Sequence, residues 1–548
     1  MSIRQPRMHA GAHAHVDEQE HDHPDTRALA RHASVLTPLV TPSILAAVLL
    51  LGGCGSDDAG DGGATGTGGS GAQGGGGAGG GTPAECVPSE AQGPVDDSCG
   101  IFVAPSGNDD TGLGTKLSPY ATIGKGLEKA TDKPIYLCAD AFTETVVIAK
   151  SVDIFGGLDC AANWTWVGQT TKTALTSTAG AIPLSVAAAG SGSHITDVAI
   201  TAAAGTQGTG ESSVAALVDQ AQVLFERCEL TAQAGADGAL GDTPPGRGQD
   251  GVKGPDGVVG CQGTALVIPL NAATVSCTTG GTSTGGLGGV GTVNTNGGAG
   301  SDGESNPAVS SPAVNGGAGQ TISAQPGNGT QGADGAPGAP GAGATGIGTI
   351  DSTAGYVGVP GQDGQGNGSP AQGGGAGGGA RGSVACSNGS FAGPAGTGGG
   401  TGGCGGLPGS AGGPGGSSIA LISLNATVTL AACTFTAANG GTGGQGSPGQ
   451  EGGNGLGGGA LGTGNNNNSG AGGGGGKGGQ GGAAGGGHGG HSLGIAFDGG
   501  TAPVLTDTTF SLGTLGVGGP GGISPALDGE AGQSCQSLDF ASGSCTNG

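Results

Sequence analysis

The chain has 548 residues, of which 137 are glycine and only 3% aromatic, and its formal net charge is −25. Glycine offers no side chain to bury and loses the most backbone entropy on ordering, so most of this chain cannot supply a conventional core. Lys and Arg are sparse and never cluster, which excludes a nucleic-acid groove; the acidity suits a solvated extracellular surface.

Residues 1–34 are polar and carry His9, His13, His15, His21, His23 and His32. This stretch reads either as a metal-binding tract or as a segment without a role ahead of an export signal. The residues after it favour the second reading. Arg27 and Arg31 precede the apolar runs Val35–Val40 and Ile44–Leu51, which end in small residues, the pattern of a secretory signal over 35–53. The run is too short to span a bilayer comfortably. Its ending, Leu51-Gly52-Gly53-Cys54, resembles the lipobox of bacterial lipoproteins. That resemblance implies lipidation of Cys54, a lipid anchor in the membrane and, with Gly55 rather than Asp next, a place at the outer membrane or cell surface. Residues 54–83 form a glycine-rich tether.

The organising stretch is 101–157. A strand, Ile101–Ala104, leads into a Gly/Asn/Asp loop, then a helix with apolar Ile123, Leu127 and Ala130. Three short β-rich runs come next, Ile135–Leu137, Val146–Ile148 and Val152–Phe155. A helix ahead of very short, evenly spaced strands points to a solenoid. The sequences VAPSGND, SPYATI, FTETVVI and VDIFGG in this stretch resemble the DUF1565 family of pectate-lyase-like proteins. The resemblance implies an all-β fold, a right-handed parallel β-helix. It brings no shared catalytic set, and Asp140 and Phe142 stand where the family usually has Gly and Tyr.

A short pattern then recurs: ITDVAIT (195–201), FERCELT (225–231), LAACTFT (430–436) and LTDTTFS (505–511). A second pattern precedes three of these by roughly ten residues, at 214–223, 419–428 and 493–504, and 264–279 reads as a degenerate copy. Together they make units of roughly 20–24 residues, the scale of one solenoid coil. Cys228, Cys277 and Cys433 are expected to stack as a ladder. Long glycine tracts separate the copies and leave from one corner of the coil. They read as irregular insertions that bury little, because the collagen-like triplets lose phase too soon for a triple helix. The resulting organisation is a cap and first coils (84–277), an insertion (278–416), a coil (417–436), an insertion (437–491), and a last coil with its cap (492–548).

Without Cys54, 12 of the 13 cysteines remain, an even number in an exported chain, and none lies in a CxxC, so disulfides are favoured over zinc. Near neighbours suggest Cys86–Cys99, Cys138–Cys160, Cys386–Cys404 and Cys535–Cys545. Asp96–Asp97, Asp109–Asp110, Asp197, Glu226–Arg227 and Asp507 are the only carboxylate groups worth weighing as catalytic. Each reads more simply as a turn residue or a solvated face. His488 and His491 make too weak a metal pair. The sequence assigns no catalytic residue, metal or cofactor. It points to an envelope surface lipoprotein with a structural, adhesive or glycan-binding role toward polysaccharide or other surface components. The alternative is a polysaccharide-active enzyme, for which three or more clustered acidic residues with Arg or Lys on one face would speak.

Overall fold

A computed structural model describes residues 82–309, 314–523 and 527–547. Cys54, the export signal, the histidine-rich extension and the tether through residue 81 lie outside the described residues. The opening helix, Ile123–Lys129, starts where the Thr122 hydroxyl accepts the Lys125 N–H at 3.1 Å and the Glu144 carboxylate accepts those of Ile123 and Gly124. Ile123 and Leu127, four residues apart, bury one face of this helix over the first strands.

From there the chain passes through three parallel sheets in turn. The first circuit is Ile135–Cys138, Ala141–Thr143 and Val146–Ile148, and the second Asp153–Asp159, Thr173–Thr176 and Leu184–Val186. The third is Ser193–Thr196, Val198–Ala202 and Ser213–Asp219, and the fourth Gln222–Glu226, Glu229–Ala232 and Ser418–Leu424. Thr427–Ala431, Thr434–Ala437 and Ser492–Asp498 make the fifth; Val504–Thr506, Thr509–Leu512 and Ser534–Asp539 make the sixth. The antiparallel strand Ser544–Thr546 closes the third sheet.

The sequence repeat is this register. Ile195, Phe225, Leu430 and Leu505 pair in a column of the first sheet. Phe142, Leu175, Ile200, Leu230, Phe435 and Phe510 do so in the second. Phe435 and Phe510, 75 positions apart, stack with ring centroids 5.3 Å apart. Gln222–Glu226 in the first sheet and Glu229–Ala232 in the second alternate buried and open residues, whereas Ser418–Leu424 is buried at every position. In its middle the third sheet is covered on both faces, inside by the columns and outside by Ile350 and Tyr356, so Ser213–Asp219, Ser418–Leu424 and Ser492–Asp498 are buried almost throughout. At the corner between the first and second sheets Asp197, Arg227, Ala432 and Asp507 all take φ between 49° and 58°. The next position carries Cys228, Cys433 and Thr508, whose Sγ or Oγ1 donates to a carbonyl one circuit back: Ile195, Phe225 and Leu430. Cys228 and Cys433 are buried free thiols and form that ladder. Cys277 is not part of it.

Two expectations fail here. Residues 264–279 are not a further circuit: their one strand, Thr274–Ser276, joins a separate small antiparallel sheet. And the glycine tracts are not irregular. In them N–H groups bond to a neighbouring segment at every third residue: Gly251, Gly254 and Gly257 to Asn454, Gly457 and Ala460, and Gly400, Gly403 and Gly406 to Gly473, Gly476 and Gly479. A three-residue period without internal bonds is that of the polyproline II helix. Described segments of the three tracts joining the second sheet to the third (233–417, 438–491 and 513–533) come together in one bundle of such helices. Residues 393–416 run through its middle and span on the order of 75 Å at ~3.1 Å per residue.

Glycine count per triplet follows position in the bundle. The outer helix 327–344 has one glycine per triplet over its regular part, and a Cβ on Gly332 or Gly335 would meet the Gln372 or Ser369 carbonyl at 2.0 or 2.2 Å. The central helix needs two. A Cβ on Gly399 would lie 1.9 Å from the Gly374 carbonyl on one side, and one on Gly400 1.9 Å from the Leu456 carbonyl on another. The triplet phase breaks that argue against collagen mark turns between helices. Acidity has a place in this lattice too. At Asp237-Gly238, Asp250-Gly251, Asp256-Gly257 and Asp334-Gly335 the glycine N–H donates to a residue of the next helix. The aspartate Oδ1 accepts that residue's own N–H at 2.7–2.8 Å.

Disulfides join Cys86–Cys99, Cys138–Cys160 and Cys535–Cys545. Cys386 and Cys404 are not paired with each other: Cys386 bonds Cys261 and Cys404 bonds Cys277. The bundle overrides sequence proximity, because it runs 235–260 antiparallel to 392–416 and brings residues more than a hundred positions apart into contact.

Candidate functional site

The charged cluster that an enzyme would use sits at the corner of the first and second sheets. Asp197 and Arg227 are corner residues of consecutive circuits, and the short strand Thr165–Trp166 lays Trp166 beside them. Arg227 donates from Nε to Asp197 Oδ1 at 3.0 Å and from Nη2 to Oδ2 at 3.1 Å, while Trp166 Nε1 donates to Oδ2 at 2.9 Å. The guanidinium lies 5.7 Å from the Trp166 ring centre and also pairs with Glu226. Lys172 faces Glu229 at 3.6 Å. Burial works against the Arg227 charge, but the Asp197 and Glu226 carboxylates outweigh it and hold the group above its ordinary value. Arg227 is therefore drawn into the fold, whereas Glu226 keeps 40% of its side chain exposed, as expected of a solvated residue.

In composition this is the cluster that would speak for an enzyme. In geometry it is closed. The Asp197 carboxylate is only 3% exposed and both oxygens are occupied, leaving no proton path to a substrate. Three of the other candidate carboxylates, Asp96, Asp97 and Asp109, hold backbone. Asp109 accepts from Ala121 N, Thr122 N and the Thr122 hydroxyl, and these bonds outweigh its burial and keep its carboxyl below the ordinary range. Asp96 takes the Ser98 N–H and Asp97 that of Lys116. Asp507 is a corner residue with φ 49°. An open hollow of about 780 Å³ beside the cap is bordered by Lys116, Asp140 and Asp159. Trp164, at its floor, is buried and donates to the Lys116 carbonyl, so its ring is not free to stack on a ligand.

His488 and His491 lie where the bundle meets the third sheet, buried rather than on a mobile loop. His491 Nε2 faces the Ile347 carbonyl at 2.9 Å, its Nδ1 accepts the Gln533 N–H, and Tyr356 and Phe540 pack edge-on to its ring. Burial lowers the pKa of His491 to about 4 and that of His488 in the same direction. Burial likewise pushes the Tyr356 hydroxyl up to about 12. Among the described residues no three His, Cys, Asp or Glu side chains converge as metal ligands, and no helix is long and apolar enough to cross a membrane.

The feature that sequence reasoning missed is the bundle surface. Its outer rows repeat every third residue: Asn439, Thr442, Gln445, Pro448, Glu451 and, less open, Asn454 face out along one helix. The available signal was glycine at every third residue, with Asx-Gly dipeptides spaced by multiples of three, as at Asp250 and Asp256, Asn328 and Asp334, and Asn439 and Asn454. Comparison with protein-family models, curated proteins and solved structures returns no match.

Proposed function

We propose that this chain is an exported envelope lipoprotein, anchored through Cys54 at the outer membrane or cell surface, whose role is structural or adhesive rather than catalytic. In this reading the three parallel sheets form a right-handed parallel β-helix of the DUF1565 type, and the glycine-helix bundle is the part displayed to polysaccharide or other surface components. The observation that carries it is the bundle. Three tracts leave successive circuits between the same two sheets and join through backbone hydrogen bonds into one bundle with regular outward rows, a display surface built at one edge of a repeat fold. The closed Asp197–Arg227 cluster supports the same reading over a polysaccharide-active enzyme.

The mature exported chain, screened over a polysaccharide panel, should release no new reducing or unsaturated ends. Cells displaying it should adhere to the surface component it recognises. Turnover of any polysaccharide would restore the enzyme reading. For the anchor, Cys54→Ser should abolish lipid labelling and leave the signal uncleaved by the lipoprotein peptidase; unchanged labelling and mature mass would remove the anchor from the proposal.

A further inference from the structure

Asparagine followed by glycine is prone to rearrange, because glycine leaves the next backbone nitrogen unobstructed beside the side-chain amide. Ring closure makes two demands: that nitrogen must give up its proton, and the backbone must turn until the nitrogen meets Cγ. In the bundle both are opposed. Gly297, Gly329, Gly368 and Gly440 each follow an asparagine, and they donate their N–H to the carbonyls of Gln320, Ala471, Gly406 and Thr514 at 2.8–2.9 Å. Gly316, after Asn315, donates to Asp302 Oδ1. The side chains are engaged as well: Asn328 and Asn439 each accept a neighbouring helix's N–H, and Asn367 Nδ2 donates to the Thr279 carbonyl. Gly455, after Asn454, has no acceptor among the described residues. The N–H groups on either side of it, of Asn454 and Leu456, are held by Asp250 Oδ1 and the Thr401 carbonyl.

Asn388–Gly389 is different. It lies in the exposed loop 387–390, next to the Cys386 that is bonded to Cys261. The Gly389 N–H has no partner among the described residues. A Cβ on Gly389 would come no closer than 3.7 Å to anything beyond its chain neighbours. Asn388 Oδ1 accepts the Ser390 N–H at 3.1 Å. That bond draws charge from Cγ and stabilises the oxyanion formed when Cγ is attacked.

We propose that Asn388 is a site of spontaneous modification, and that the bundle's hydrogen bonds protect its other Asn-Gly pairs. The Gly389 nitrogen loses its proton to water and attacks Cγ. The bond from Cγ to Nδ2 breaks and ammonia leaves, closing a succinimide. Water then opens the ring at either carbonyl, giving aspartate or isoaspartate at 388, and nothing is oxidised or reduced. The loop gains a carboxylate, and in the isoaspartate form its backbone is lengthened by the side-chain methylene.

The test is peptide mapping by mass spectrometry of the folded chain incubated at mildly alkaline pH, scoring the exchange of NH for O and resolving isoaspartate by fragmentation. Conversion at 388 should run about tenfold or more ahead of that at 328 and 439. In the reduced, urea-unfolded chain the three rates should converge. Gly389→Val crowds the attacking nitrogen in a loop with room for the side chain, so 388 should stay intact with the unfolding midpoint unchanged. An Asn388 that persists in the folded wild type overturns the modification site. Equal rates at the three positions in the folded chain, or a lead at 388 that survives unfolding, overturn the protection.

Discussion

The strand stack and the glycine bundle solve the same problem in opposite ways. The stack excludes water with side chains: columns such as Phe142–Leu175–Ile200–Leu230–Phe435 bury large groups, and backbone partners lie one circuit away. The bundle excludes water with backbone. Its helices approach until a carbonyl occupies the space where a Cβ would be, and every third N–H is satisfied by a neighbour. In the first region stability scales with side-chain volume, and in the second with its absence. Glycine tracts are thus not spacers by composition alone. What decides is whether glycines recur in a three-residue phase over helices long enough to pair, because many weak backbone contacts must together offset the ordering entropy.

Mutations can break this comparison at either end, and the largest effect belongs to the stack. Phe435→Ala leaves a cavity between Leu230 and Phe510 and should cost about 3–5 kcal/mol in denaturant titrations. A cost near zero would mean the columns are not a core. In the bundle the sign of size reverses. Gly403→Ala places a Cβ 2.0 Å from the Gly453 carbonyl, whereas one on Gly457 meets nothing within 4 Å. The first should cost about 2–3 kcal/mol by overpacking, and the second should stay within about 0.5 kcal/mol. Equal costs would dissolve the distinction between inner and outer faces.

The junction between the two regions sharpens the comparison through pH. Folded His491 is neutral down to about 4, while the unfolded chain takes up its proton near the ordinary value of 6.5. The unfolded state therefore binds more protons between these values, so stability is intact above about pH 7 and declines as pH falls from about 6.5 toward 4. The loss from His491 approaches about 3 kcal/mol at the acid end. Urea midpoints measured across that window, with the His491 ring followed by NMR, check it; a ring that titrates near 6.5 in the folded chain would refute the burial. A smaller effect tests the Asx-Gly pairing. Asn439 Oδ1 accepts the Thr514 N–H at 2.9 Å, so Asn439→Ala should cost about 1 kcal/mol and Asn439→Asp much less. Identical midpoints for the two variants would show the side chain to be idle.

The sequence made the stack legible because its signal is side-chain identity. The apolar, Cys/Thr and apolar positions of the repeat are the column residues themselves, and the glycine tracts do leave between the same two sheets. It misled where the signal lies in backbone. The apolar alternation at 264–279 resembled another circuit, but its Leu266, Ile268 and Leu270 are exposed. Cys386 and Cys404 looked like partners by proximity, which the long antiparallel helices overrule. The Asp197–Arg227 pair could not be read, because its closure depends on Trp166 arriving from a separate strand.

The central claim is that the glycine tracts are an ordered, hydrogen-bonded body rather than insertions looping away from the stack. Amide hydrogen exchange, followed by mass spectrometry on the folded chain, tests this most directly. Peptides from 399–412 and 473–487 should exchange as slowly as those from Ser418–Leu424, since each of these helices is enclosed by neighbours that accept its N–H groups. Exchange of those glycine peptides at the rate of an unstructured chain, with the strand peptides still protected, would contradict it.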